Sequence, residues 1–337
     1  MTCSRRYGRT LRSRGLSVPL DHYVSQVHLK RFYAESLGNR KMHAYRKSDG
    51  QQFPCGSEDV CRIKDGSTND FLGEPRLVEE FLKTIEPKYN AACAALAAGT
   101  FDQEHVYVIT GFIAYVASCS PTAVRLGTRH LEALVHAEAA IMDQADLLPP
   151  SPPELGGASF SELLSDGRVV IETDRRFPHA LGISNLLHLA AAFGNTYWEI
   201  LLNDDASSPF FTSDFPVAIE ANPQSLVVNR VIPLTPSLAL RIHPRTHLSM
   251  SEPSLSFENL RYKVRNLGRQ GVRLVNTAVV RSAENQVFAS INSQWVSRFV
   301  AKHSRYRVEI SNRYSPHGSG IIKTSSLEVR GSGGHSD

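Results

Sequence analysis

The sequence predicts an α+β fold, in which a mostly helical N-terminal bundle is followed by a small antiparallel sheet inserted in the C-terminal half. Two observations support this class. Apolar side chains recur at helical spacing through residues 75–147, and residues 196–243 hold four short runs rich in β-branched and aromatic side chains. A Pro-rich linker over residues 148–157 separates the two parts. We therefore predict a single α+β domain over residues 21–310.

The helical part is predicted to begin at Pro75, a residue type that commonly opens a helix, and its first helix ends before Gly99. Pro87 lies inside this helix and should kink or break it. A second helix covers residues 103–118, and a third starts near Pro121. These helices make up the predicted bundle.

The sheet part consists of four runs separated by turn residues, which favours an antiparallel meander. The runs are TYWEILLN, PFFTSDFPVAI, SLVVNRVIPLT and SLALRIHP. Helical spacing returns after the meander, so the sequence predicts closing helices over residues 258–310.

Both ends of the chain are predicted to be disordered. Residues 1–20 form a basic leader with five Arg and no acidic residue, and residues 311–337 form a Gly- and Ser-rich tail. The net charge of the chain is +4, so the residues after the leader sum to −1 (+4 minus +5). A neutral body argues against a nucleic-acid surface spread over the fold, although a local basic patch is compatible with it.

The cysteines and the hydropathy pattern indicate a soluble, cytoplasmic protein. The five Cys form no C-x-x-C pair, which is typical of reduced, structural cysteine. No apolar run approaches the ~18–20 residues of a membrane span. The sequence therefore predicts no membrane partner.

No complete catalytic or cofactor signature occurs in the chain. The P-loop, dinucleotide-binding, zinc-protease and serine-hydrolase motifs are all absent. What stands out is a set of polar side chains in apolar surroundings, where a carboxylate is costly to bury unless it is paired or bound to a metal. The set consists of His22, Gln26, Glu79, Glu86 and Asp214.

These five residues, if they converge, could hold a divalent cation through oxygen atoms, with His22 as a ligand or a general acid/base. His22 and Gln26 are four residues apart and would share a helix face, and Glu79 and Glu86 are seven apart and would share another. The resulting hypothesis is a metal-assisted hydrolase of the phosphodiesterase or nuclease type.

The same polar residues can also be interpreted as structural. Asp214 could cap the turn before Pro216, and Asn276, on an apolar helix face, could hydrogen bond to a loop. The alternative function is a non-catalytic interaction or regulatory protein whose buried polar network stabilises the fold. A third hypothesis, a ribonuclease, uses Arg125 and His130 and requires both to face one basic cleft.

Several blocks of the sequence occur together in a recognisable order. HYVSQVHLKRF, GEPRLVEEFLKTIEPKYNAA, PFFTSDFPV and VIPLTPSLAL follow one another within about residues 21–300. The chain thereby resembles the uncharacterised domain-of-unknown-function family 4238, which is found mostly in bacteria. The resemblance implies no known reaction. The polar positions of the family correspond to His22, Gln26, Glu79, Glu86, Ser213, Asp214 and Asn276.

Overall fold

The architecture is that of the computed structural model, which describes residues 20–149, 151–222, 225, 227–244, 254–317 and 320–331. The strands and helices follow along the chain as β1 (Leu20–His22), α1 (Gln26–Leu29), β2 (Met42–Arg46), β3 (Gln52–Cys55), β4 (Arg62–Lys64), α2 (Leu77–Ile85), α3 (Tyr89–Ala98), α4 (Gln103–Cys119), α5 (Pro121–Gln144), α6 (Phe160–Ser165), α7 (Arg176–Ser184), α8 (Leu186–Gly194), β5 (Tyr197–Leu202), β6 (Thr212–Ser213), β7 (Ala218–Glu220), β8 (Asn229–Thr235), β9 (Leu238–His243), β10 (Arg261–Asn266), α9 (Arg269–Ser282), β11 (Gln286–Ala289), α10 (Gln294–His303), β12 (Tyr306–His317) and β13 (Gly320–Gly331). Short 3-10 turns cover Lys30–Phe32, Glu35–Leu37, Glu86–Lys88 and Pro153–Leu155.

Local signals place the central helices where the sequence predicts them. α4 begins after Asp102, whose side chain accepts the backbone N–H of His105 while the His105 ring caps the Asp102 backbone in return. Pro121 opens α5 behind the capping hydroxyl of Ser120. Pro87 lies in the 3-10 turn between α2 and α3, so the predicted break in this helix is confirmed.

The larger sheet has five strands in the order β10-β5-β9-β8-β7. Strands β7, β8 and β9 form an antiparallel meander, as predicted, but β5 pairs antiparallel with β9 and not with the run that follows it. Strand β10 pairs with β5 in parallel. Strand β10 comes from residues that are predicted to be helical, because Val264 and Leu267 have helical spacing. All six of its residues are exposed, and an exposed edge strand has no buried stripe that would reveal its period.

A second sheet of four strands, in the order β3-β2-β11-β6, joins strands from the two halves of the chain. Its register pairs β2 with β11 and aligns Ala44 with Phe288. Strands and helices therefore interleave, and the prediction of a helical N-terminal bundle with one small inserted antiparallel sheet is wrong, although the α+β class is correct. Pairing between strands so distant in sequence leaves no local periodicity that would predict it.

The C-terminal strands β12 and β13 pair along their whole length as a hairpin, with Tyr306 opposite Gly331. Residues 311–317 and 320–331 are therefore strands, whereas their Gly and Ser content predicts part of a disordered tail. Backbone hydrogen bonds form whatever the side-chain polarity, so composition does not reveal such a hairpin. The predicted basic leader, apart from Leu20, and residues 332–337 lie outside the described residues.

The core covers both faces of the larger sheet. The largest apolar cluster joins α3, α4 and α8 to one face, and α4 residues such as Phe112 and Ile113 are at most 1 % exposed. A second cluster packs α9 and α10 against the other face. Among the described residues no single helix is long and apolar enough to cross a membrane. Helices α4 and α5 meet that criterion only as a pair bent by 55°.

Candidate functional site

Asp214 is a buried carboxylate whose oxygens are hydrogen-bonded. It directly follows β6 and is 3 % exposed. Its Oδ1 accepts the N–H of Glu284 at 2.9 Å, and its Oδ2 accepts those of Asn285 and Gln286 at 2.7 and 2.9 Å. The carboxylate therefore holds the loop between α9 and β11, rather than capping the turn before Pro216.

Lys47 holds the same loop from another direction. Its Nζ donates to the carbonyl oxygens of Ala283 and Tyr306 at 2.5 and 2.6 Å. Burial raises the pKa of Asp214 to about 6, against the lowering effect of the three N–H bonds and of the Lys47 charge. Burial also lowers the pKa of Lys47 to about 8. Near neutral pH both groups are therefore charged, and the loop is fixed by both.

His22 and Gln26 meet at Ser57, although they do not share a helix as the sequence predicts. His22 ends β1, and Gln26 begins α1. His22 Nε2 donates to the carbonyl oxygen of Ser57 at 3.1 Å, and Gln26 Oε1 accepts the Ser57 hydroxyl at 3.0 Å. Tyr33 completes the arrangement, because its hydroxyl accepts the N–H of Ser57 and donates to the Ser57 Oγ. Burial lowers the pKa of His22, which suits a neutral structural imidazole.

The two glutamates lie in different surroundings. Glu86 accepts the hydroxyl of Ser25, the residue before α1, at 2.5 Å. Glu79 forms a two-point ion pair with Arg76. Arg76 in turn donates to Thr68 Oγ1 at 3.0 Å, so Glu79 holds a side chain that fixes the loop after β4.

The structure thus brings three of the five predicted residues, His22, Gln26 and Glu86, to the start of α1. Their polar atoms contact Ser25 and Ser57. Within the described ranges, no group of three or more His, Cys, Asp or Glu side chains is placed to hold a metal ion. The contacts of the predicted set are those of hydrogen-bonding support for neighbouring loops.

Asn276 and Ser213 also have structural partners. Asn276 is 1 % exposed; its Oδ1 accepts the N–H of Phe211 and its Nδ2 donates to the carbonyl oxygen of Pro209, both at 2.9 Å. Ser213 Oγ accepts the N–H of Phe215 at 3.2 Å. The interpretation of Asn276 as a buried helix-to-loop hydrogen bonder is confirmed.

A cleft of about 860 Å³ lies in front of these supports, between the loop after β4, the start of α5, the start of α7 and the α9–β11 loop. We call it the α5–α7 cleft. Asp214 stands behind one wall, because it holds the N–H of Glu284, and Glu79 stands behind another, because its partner Arg76 binds Thr68. The volume is typical of small-molecule sites, which span roughly 300–1,000 Å³.

His179, in the first turn of α7, lines this cleft with an imidazole that is only partly bonded. Its Nδ1 lies 3.3 Å from Nδ2 of Asn69. The Asn69 amide has a fixed orientation, because its Oδ1 accepts the N–H of Phe71 and its Nδ2 also donates to the carbonyl oxygen of Arg176 at 2.7 Å. Nδ1 of His179 is therefore an acceptor, and in the neutral ring Nε2 carries the proton.

The Nε2–H group of His179 is buried and has no hydrogen-bond partner among the described residues. The side chain as a whole is 8 % exposed, and its burial lowers the pKa, so the ring is neutral near physiological pH. An unsatisfied buried donor costs about 1–3 kcal/mol. Such a donor at the edge of a cleft needs an explanation, and a ligand oxygen would supply the missing acceptor.

The position of α7 depends on close contact with α4. A Cβ atom on Gly182 would lie 2.7 Å from the carbonyl oxygen of Ser118, a distance that real Cβ atoms do not adopt. Glycine therefore lets the two helices approach, and this contact presents His179 at the cleft.

The cations of the cleft fall into two groups. Arg125 is fixed by carboxylates, since it bonds to Glu284 at 2.8 Å and to Glu309 at 3.1 Å. Lys64 and Arg175 also line the cleft, but they form no ion pair with another described residue. The ribonuclease hypothesis needs His130 in the same cleft, yet His130 is not among the described residues that line it.

Sequence reasoning does not single out His179 or Arg175. The one available signal is their spacing in RRFPHAL, because residues four apart at the start of a helix share a face. Asn69, which orients the imidazole, carries no such signal, because it lies in a polar, turn-rich stretch far away in the sequence.

A protein-family profile described as "Protein of unknown function (DUF4238)" matches residues 21–293. No curated protein and no solved structure matches the chain significantly. The matched range is more than half of the chain and contains the loops and helices that form the α5–α7 cleft. It also contains the blocks around His22 and Asp214 that carry the resemblance. The chain therefore belongs to the DUF4238 family.

Proposed function

We propose that the α5–α7 cleft binds a small anionic ligand through the oxygen atoms of a phosphate or carboxylate group. The observation that carries this proposal is the buried Nε2–H of His179, a donor without an acceptor. Arg175 lies four residues earlier, at the start of α7, and its guanidinium has no ion pair within the described part of the chain. Hydrogen bonds from such donors to an anionic oxygen are about twice as strong as bonds between neutral groups.

The charges around the cleft favour binding at the Arg175–His179 end. Five cations and four acids line the cleft (Lys64, Arg125, Arg129, Arg175 and Arg176 against Asp65, Asp70, Glu132 and Glu284), so the cations exceed the acids by one. Two of the acids, Asp70 and Glu284, are paired with Arg176 and Arg125. Asp65 and Glu132 would repel an anion elsewhere in the cleft. Ile63 and Val124 provide apolar wall for the carbon part of a ligand.

The sequence also predicts metal-assisted hydrolysis, of the phosphodiesterase or nuclease type, by His22, Gln26, Glu79, Glu86 and Asp214. Their contacts favour the alternative prediction for these residues, a polar network that stabilises the fold. In our proposal Asp214 and Glu79 are positioning residues, because they hold Glu284 and, through Arg76, Thr68, which line the cleft. Any hydrolysis of a bound phosphodiester would be carried out by the cleft residues. The cytoplasmic location and the bacterial source stay predictions.

The proposal is tested by isothermal titration calorimetry with inorganic phosphate, a nucleoside monophosphate and a dicarboxylate. We expect the wild type to bind at least one of them. Arg175→Gln and His179→Phe should each weaken binding by about 10- to 100-fold, the effect of losing one hydrogen bond to a charged group. The control Arg298→Gln removes an exposed Arg from α10, outside the cleft, and should bind as the wild type does.

Two results would overturn the proposal. One is an absence of binding to the wild type by any of the three anions. The other is an equal loss of affinity in Arg298→Gln and in the two cleft variants, because that would indicate a general effect of surface charge rather than a site.

A further inference from the structure

A second, apolar cavity of about 350 Å³ lies between α8, the beginning of β8, the end of β9 and the middle of β13. Apolar side chains such as Leu189, Phe193, Ile242 and Leu327 form most of its lining, and Arg230 is the charged residue among the described residues that line it. The cavity shares no lining residue with the α5–α7 cleft. It is therefore a separate site.

Arg230 stands on the apolar face of the larger sheet. It lies on β8, opposite Ile219 of β7 and Ile242 of β9. Residues directly opposite each other on neighbouring strands direct their side chains to the same face. Both isoleucines are at most 2 % exposed, so the stem of Arg230 leaves the sheet between two core side chains.

The guanidinium group of Arg230 has no ion pair or hydrogen bond with another residue of the described ranges. Burial lowers the pKa of Arg230 to about 10, and no neighbouring charge counters this effect. A guanidinium nevertheless stays protonated at physiological pH. A partly buried guanidinium without an ion-pair partner is unfavourable beside an apolar cavity, and a bound anion would supply the missing partner.

We propose that this cavity binds an amphiphile with one anionic head group, a medium-chain fatty acid or a related monocarboxylate. The carboxylate pairs with Arg230, which presents two parallel N–H donors to its two oxygens. The chain lies against Leu189, Phe193 and Leu327. The volume is at the lower end of the range for ligand sites, which favours a single chain of moderate length over a two-chain lipid.

A structural explanation for Arg230 predicts different binding. Its stem could cover apolar surface while the head group reaches water at the mouth of the cavity. An Arg with that role would make no distinction between an apolar alcohol and the carboxylate of the same length. The proposed site prefers the carboxylate.

The test compares decanoate with decanol, each below the concentration at which it aggregates, by isothermal titration calorimetry. We expect the wild type to bind decanoate about 10- to 100-fold more tightly than decanol, as one charge-assisted pair would produce. Arg230→Leu should remove this preference and leave decanol binding unchanged. Arg298→Leu, which removes an exposed Arg from α10, should keep the preference.

A second variant tests the proposal even if Arg230→Leu does not fold. Ala192→Phe fills the cavity and leaves Arg230 in place, so it should block both decanoate and decanol while phosphate still binds in the α5–α7 cleft. The proposal fails if the wild type does not bind decanoate, or if Arg230→Leu binds it as tightly as the wild type. It also fails if vesicles of an anionic two-chain phospholipid bind and decanoate does not, because that result would indicate a membrane surface instead.

Discussion

The surroundings of Asp214 and of His179 differ in one respect, the completeness of their hydrogen bonds. Both groups are ionisable side chains less than 10 % exposed. Both oxygens of Asp214 are hydrogen-bonded, by three N–H groups of the α9–β11 loop, whereas His179 has a partner at Nδ1 and none at Nε2 among the described residues. The first arrangement stabilises the fold, and the second leaves a donor without a partner, which our proposal assigns to a ligand.

The burial of a polar residue is therefore not by itself a sign of a catalytic or ligand-binding role. A carboxylate or imidazole whose polar atoms are already hydrogen-bonded to the protein has little capacity left for a substrate, however misplaced it looks in the sequence. His28 belongs with Asp214 in this respect. It is fully buried, its Nδ1 and Nε2 lie 2.8 Å from the hydroxyls of Tyr89 and Thr212, and its ring stacks on Phe112.

The largest expected effect is on stability at Asp214. Asp214→Ala would leave three buried N–H groups without acceptors and remove the negative charge near Lys47. We expect the free energy of unfolding to fall by about 5 kcal/mol or more, because each orphaned donor costs about 1–3 kcal/mol. Urea denaturation measures this loss. Asp205→Ala, which removes a half-exposed carboxylate paired with Arg269, is the control and should have a much smaller effect.

The contrast between Asp214 and His179 would be contradicted if Asp214→Ala had the same free energy of unfolding as the wild type but no longer bound phosphate. Asp214 would then act on the ligand itself, as the hydrolase hypothesis supposes. A large loss of stability with unchanged phosphate affinity in the remaining folded protein would instead show that the α9–β11 loop does not shape the cleft.

The next effect is a pH dependence from His28. Burial lowers the pKa of His28 from 6.5 to about 3, so between these values the unfolded chain binds a proton that the folded state does not. Stability is therefore complete above pH 6.5 and falls as the pH drops toward 3, by about 1.4 kcal/mol per pH unit for one such group. His28→Gln removes this contribution. The stability difference between wild type and variant, measured in urea at pH 8 to pH 4, should shrink as the pH falls, and a constant difference would contradict the prediction.

The smallest expected effect is the change in stability of His179→Phe. Replacing a half-satisfied imidazole by an apolar ring removes an orphaned donor as well as the bond to Asn69. The two changes oppose each other, so the free energy of unfolding should stay within about 1 kcal/mol of the wild type while phosphate binding weakens by about 10- to 100-fold. A loss of stability as large as that of Asp214→Ala would place His179 among the structural residues and remove the contrast between the two regions.

The sequence predicts more of the fold than of the site. Asp102, Ser120, Pro121 and Pro87 act on the residues next to them, so helix starts and the break before α3 are predictable. Strand β10 and the hairpin β12–β13 are not, because β10 is an exposed edge strand and most of the hairpin lies in a stretch whose Gly and Ser content predicts disorder. The interleaving of the two sheets depends on pairs such as Ala44 with Phe288, which no local pattern records.

The same division applies to the polar residues. Sequence context alone marks His22, Gln26, Glu79, Glu86 and Asp214 as unusual, and it establishes the family, because local composition is enough to show that a polar group interrupts an apolar run. Whether one of these groups is hydrogen-bonded by the protein, and which other group lacks a partner, depends on atoms that distant segments contribute. Examples are the N–H groups of residues 284–286 for Asp214 and the Asn69 amide for His179. A hydrogen bond is satisfied only within about 3 Å, and only the tertiary structure brings those atoms together.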